Sequence, residues 1–105
     1  MKIFRPHDVH FRVRFRMNNR ESNKEQVAFT VIDTSMEELE ALTDEVYTEE
    51  LKRHKGEKYS SSVLMVTQRM LYGKKTGEFS RRLYRCDITI GQKLYDAIMK
   101  KETEK

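Results

Sequence analysis

Val9-His10-Phe11-Arg12-Val13-Arg14-Phe15-Arg16-Met17 alternates apolar and polar residues without a fault, and the polar positions after His10 are all arginine. A period of two is a strand: Val9, Phe11, Val13, Phe15 and Met17 share one face. His10, Arg12, Arg14 and Arg16 stand on the other, as a cationic row repeating about every 7 Å. Such a row is the footprint of an anionic ligand, or of a solvated edge strand whose charges deter edge-to-edge aggregation.

Working outward, Asn18–Asn23 has turn composition. A second strand is expected from about Gln26 to Asp33, apolar enough on both sides to suit an inner position. Thr34 and Ser35 then open a helix, since Thr34…Glu37 and Ser35…Glu38 both match the capping-box spacing. Its apolar half comprises Met36, Leu39, Leu42, Thr43, Val46, Tyr47 and Leu51, and it should stop before Gly56. Glu50 falls inside that stripe, which implies that the last turn projects past the sheet into solvent.

The third strand, about Ser61 to Tyr72, is apolar on both faces and therefore central. Gly73–Gly77 reads as a glycine-bounded hairpin loop with Lys74 and Lys75 at its tip. A fourth strand, about Glu78 to Ile90, puts Tyr84, Cys86, Ile88 and Ile90 inward and Arg81, Leu83, Arg85 and Asp87 outward. Thr89…Gln92 caps a short second helix with Leu94, Ala97 and Ile98 inward, and about 101–105 should fray. The spacing around Thr34 and Thr89 hints at an internal repeat, but the rest does not align without a gap.

The order ββαββα predicts an α+β fold: a two-layer domain with a four-stranded antiparallel sheet and both helices on one face. All 105 residues form one domain. Charged residues make up 36% of the chain, yet ten aromatics and regularly spaced aliphatics supply a small core. No run is long enough for a membrane span or a signal peptide, and the lone Cys86 excludes an internal disulfide and suits a reducing compartment. A cytoplasmic protein is expected.

The net charge of +4 is unevenly spread. Residues 1–20 carry six Lys/Arg against Asp8, and 69–86 carry six against Glu78. Residues 35–50 carry seven acids and no base. A dipolar molecule follows, with basic strands and an acidic helix.

The function expected from this pattern is non-enzymatic binding. The uncovered sheet face would engage single-stranded or structured nucleic acid through Arg12, Arg14, Arg16, Lys74, Lys75, Arg81 and Arg85, because guanidinium pairs phosphate and lies flat on rings. Leu83, and with the register Val63, Met65 or Tyr72, would sit between them. The alternative is a protein-interaction module, an adaptor or inhibitor, docking through Glu37, Glu38, Glu45 and Glu49 on a partner that itself handles nucleic acid. A solvated helix face with dipole-complementing acids is the plainer reading of those glutamates.

Neither reading needs a cofactor. His7 and His10 would point to opposite faces of a strand, and His54 is remote, so no metal is expected. Gly73-Lys74-Lys75-Thr76 lacks the upstream glycine of a phosphate-binding loop. Serines 60, 61 and 62 have no local base, and Cys86 reads as a buried hydrophobe. No catalytic residue is assigned, although a ribonuclease built from Arg, Lys, Tyr and His10 would leave no linear motif. A monomer or an edge-mediated dimer is expected, since stacked sheet faces would bring arginines together.

Overall fold

The computed structural model describes residues 9–18, 23–31, 34–53 and 62–103. His7, His54, Ser60 and Ser61 lie outside the described residues. The strands are β1 (His10–Asn18), β2 (Asn23–Val31), β3 (Ser62–Leu71) and β4 (Lys74–Tyr84); the helices are α1 (Met36–Arg53) and α2 (Thr89–Thr103). One antiparallel sheet has the order β2-β1-β3-β4. The ββαββα fold read from the sequence is the fold observed.

Period-two alternation fixes which face is dry. Phe11, Val13 and Phe15 are buried, and across the ladders they meet Val31, Phe29 and Val27 of β2 and Arg69, Thr67 and Met65 of β3. Leu39 and Leu42 of α1 and Ile90, Leu94 and Ile98 of α2 close over this side, so both helices share one face of the sheet. Opposite β1 and β3 residues belong to the same face, which leaves His10, Arg12, Arg14 and Arg16 with Leu64, Val66, Gln68 and Met70 on the other.

The second strand does not take the inner position expected of it. The arginine-bearing β1 is central, flanked by β2 and β3, while β2 is an edge. The apolar composition of β2 comes instead from Val27, Phe29 and Val31 packing on the core. The loop expected at Gly73–Gly77 is a two-residue turn. Tyr72 and Gly73 both have positive φ, 51° and 78°, as a type I′ hairpin requires. Lys74 and Lys75 therefore begin β4 and do not form a loop tip.

Ser35 is the N-cap of α1: its Oγ accepts from the Glu38 N–H at 3.1 Å, while the Glu38 carboxylate takes the Thr34 hydroxyl at 3.0 Å. Glu50 is not solvated. Its side chain is fully buried between the helices, held by Arg53 at 2.9 Å and by Lys93 of α2. Opposite charges, Arg53 from its own helix and Lys93 from the neighbouring one, make its place in the apolar stripe tolerable.

Strand four ends sooner than its apolar run suggests. Arg85 has φ +59°, which breaks the alternation, and Cys86 to Ile88 form the link to α2. Asp87, and not Thr89, caps that helix, accepting the Thr89 N–H at 2.9 Å and its hydroxyl. α2 continues through Lys100 to Thr103, past the point where fraying is expected, with Lys100 and Lys101 complementing its negative end.

The internal repeat exists, at another offset. N-caps Ser35 and Asp87 stand 52 residues apart, as do Arg14 and Val66, which pair across the central ladder. The same offset carries the pair Val13↔Phe29 onto Met65↔Arg81. Two ββα units thus meet about a pseudo-twofold axis between β1 and β3.

Candidate nucleic-acid interface

The sheet face away from the two described helices is built on four strands. β1 gives His10, Arg12, Arg14 and Arg16, with Arg12 exposed and the others half-buried. From β3 come Leu64, Val66, Gln68 and Met70, of which Val66 and Met70 are buried at 7% exposure although they lie on the side away from the described helices. β4 adds Lys75, Glu78, Ser80, Arg82 and Tyr84, as its pairing with β3 dictates. Ala28 and Thr30 of β2, both exposed, complete the far side. A shallow groove of about 220 Å³ runs between β1 and β2 beside Arg12 and Arg14.

Charge on this face is partly compensated. Glu78 accepts from Gln68 at 2.8 Å and from Lys75 at 3.3 Å. Those hydrogen bonds, Gln68's first, hold its carboxyl below the usual value, and the Lys75 and Arg14 charges act in the same direction. Arg82 donates to Ser62 Oγ at 2.9 Å, which holds the guanidinium across the β3–β4 ladder. Among the described side chains of the face, Glu78 is the acid set against Arg12, Arg14, Arg16, Lys75 and Arg82.

The sequence-based site is divided by the fold. Arg12, Arg14, Arg16 and Lys75 come together as expected. Arg81 does not join them: it lies on the helix side, ion-paired to Asp44 of α1 and stacked over the Tyr47 ring at 5.7 Å. Leu83, Val63 and Met65 are wholly buried in the core, not displayed between arginines. Arg85 is exposed beyond the end of β4, and Lys74 is exposed at its start.

The inversion of β4 has one cause. Cys86, Ile88 and Ile90, which set its phase in the sequence, are past the positive-φ break at Arg85 and belong to the link and to α2. Phasing on Phe79 and Leu83, both core-facing, places Arg82 and Tyr84 outward. Arg82 and Tyr84 are thus the positions of the face that sequence reasoning misses. Tyr84 is 59% exposed, while its backbone N–H and C=O both bond the Tyr47 hydroxyl, at 2.9 and 3.1 Å.

On α1, Glu37, Glu38, Glu45 and Glu49 are all exposed. Glu38, Glu45 and Glu49 fall along one line of the helix, with Glu37 a quarter-turn away. Asp44 and Glu50, by contrast, are taken up by Arg81 and by Arg53 with Lys93. Among the described residues no group of three or more His, Cys, Asp or Glu could hold a metal ion, and no helix is long and apolar enough to cross a membrane. No family model, curated protein or solved structure matches the chain.

Proposed function

We propose that the sheet face away from the described helices binds nucleic acid, single-stranded or structured, as a non-enzymatic platform in the cytoplasm, where the lone thiol would remain reduced. The observation that carries this reading is the position of Arg12, Arg14 and Arg16 in the middle of that face, joined across the sheet by Arg82 and Lys75. Guanidinium groups pair phosphate oxygens in bidentate fashion, and Tyr84, 59% exposed, with the half-buried Leu64 would offer surface for base rings. Glu50 is neutralised in the interior and Asp44 is paired with Arg81 at the surface, while the exposed α1 glutamates would repel a polyanion and direct it to the sheet.

The test is the salt dependence of binding to a single-stranded oligonucleotide. Replacing Arg12, Arg14 and Arg16 together by Gln should flatten the plot of log affinity against log salt by about two, roughly 0.7 for each phosphate no longer neutralised. Arg81→Gln should leave the slope unchanged, because that side chain serves α1. Wild-type binding by the triple variant refutes the proposal.

A second reading rests on the aligned, exposed Glu38, Glu45 and Glu49, which would suit docking of α1 on a basic protein. If Glu37, Glu38 and Glu45 changed to Gln destroy activity while the arginine changes do not, α1 is the working surface.

A further inference from the structure

We infer that β2 pairs, edge to edge and antiparallel, with β2 of a second copy of this chain, joining two sheets into one. The two edges of the sheet differ sharply in chemistry. β4 carries Lys74, Lys75, Glu78, Arg81 and Arg82, the charged decoration that ordinarily protects an edge from self-pairing. β2 has Lys24 and Glu25 near its start, but its second half, Val27-Ala28-Phe29-Thr30-Val31, carries no charge, proline or glycine. An isologous contact puts a strand against itself. An antiparallel pairing centred on Phe29 therefore sets the uncharged half of β2 against its own copy, with Lys24 and Glu25 outside it, while β4 would bring lysines and arginines together.

The helical layer offers the same side to a partner. A cleft of about 330 Å³ runs beside β2, walled by Gln92 and Tyr95 of α2, with Tyr95 edge-on to Phe29 at 5.4 Å. Met99, four residues beyond Tyr95 and so on the same helical face, is 39% exposed. Gly91 sets the geometry: a Cβ there would meet Phe15 and Val27 at 2.9 Å, so α2 lies over the space between β1 and β2. Pairing across β2 then brings the two α2 helices about two strand spacings apart, ~10 Å, which is an ordinary helix-packing distance. Tyr95 and Met99 would be buried between them.

Electrostatics permits the arrangement. The two β1 arginine rows would be three strand spacings apart, ~14 Å, beyond the Debye length at physiological salt. Stacking two sheets face to face would instead set those rows directly against each other. The inference does not depend on the nucleic-acid reading, although the joined sheet would offer a polyanion two parallel rows.

The experiment is sedimentation equilibrium of the full chain over a concentration series, with Ala28→Lys/Thr30→Lys and, separately, Met99→Glu. All three positions are exposed, and unchanged far-UV circular dichroism would show that each variant folds. The expected result is a wild-type dimer, weakened about tenfold or more by each variant. Amide exchange of wild-type residues 27–31 should slow as concentration rises, a readout that needs no variant. A wild-type monomer whose 27–31 amides exchange alike at all concentrations overturns the inference, as does a dimer that survives either variant. Oligonucleotide binding by the monomeric Met99→Glu protein tests the sheet-face proposal separately, since Met99 is on the helical layer.

Discussion

Lys93 of α2 closes on the carboxylate of Glu50 of α1, a side chain with no exposed surface, while Arg53 grips the same carboxylate from the next turn of α1. This is where the two ββα units lock their helices together. Burying a carboxylate is costly unless opposite charge and hydrogen bonds accompany it. Lys93→Met should therefore destabilise the protein by about 1–3 kcal/mol, below the full cost of an abandoned buried charge because Arg53 remains. The double change Glu50→Leu/Lys93→Met should recover most of that loss. Urea denaturation of the single and double variants checks both, and additivity would refute the coupling.

Cys86 is wholly buried beside the same cluster, its thiol donating to the Leu83 carbonyl at 3.4 Å. Burial pushes this thiol from its ordinary 9.0 up to about 12, with Glu50 and Asp87 adding to the effect. Above pH 9 the unfolded chain loses a proton that the native protein keeps, so stability falls as pH rises. The thiol's contribution is intact below about pH 9 and lost toward pH 12, with a slope of at most about 1.4 kcal/mol per pH unit. Cys86→Ala should remove that slope from the alkaline stability curve. Native protein should also react with an aromatic disulfide only after denaturant is added; rapid native labelling would contradict the burial.

The fold is legible in the sequence where local signals and burial agree. β1 and the inward residues Leu94 and Ile98 of α2 follow from spacing alone, as does the Ser35 cap. Strand order is not legible, because an edge strand with an apolar inner face, as in β2, reads like a central one. The phase of β4 is lost at Arg85, where a positive φ at a non-glycine residue leaves no mark in composition. That single residue draws Arg81 into the site read from the sequence and keeps Arg82 and Tyr84 out of it. Burial of Glu50 depends on Lys93, 43 positions away, and long-range charge pairing has no local signature.

Gly91 permits the close approach of α2 to β1 and β2. In most helices Gly→Ala gains up to about 1 kcal/mol. Here the added methyl would meet Phe15 Cδ2 and Val27 Cγ1, both at 2.9 Å, against a core ring and a β-branched side chain. Overpacking costs about 1–3 kcal/mol, so the steric conflict outweighs the propensity and Gly91→Ala should lower stability. A raised melting temperature would show that α2 shifts freely over the sheet, and would weaken the helix spacing used for the β2 contact.

Tyr72 occupies the first central position of the β3–β4 turn with φ +51°, a left-handed conformation that side chains other than Asn, Asp and Gly adopt at a cost. Gly73 already satisfies the second position, so Tyr72→Asn would create the Asn-Gly pair favoured in type I′ turns. The tyrosine is 65% exposed, and removing its ring sacrifices little packing. The variant should gain up to about 1 kcal/mol in chemical denaturation and keep the native circular dichroism spectrum. Were it instead to lose stability, the Tyr72 ring would have to be holding the turn through its neighbours more strongly than the backbone resists it. In that case the hairpin would owe its geometry to the side chain and not to Gly73.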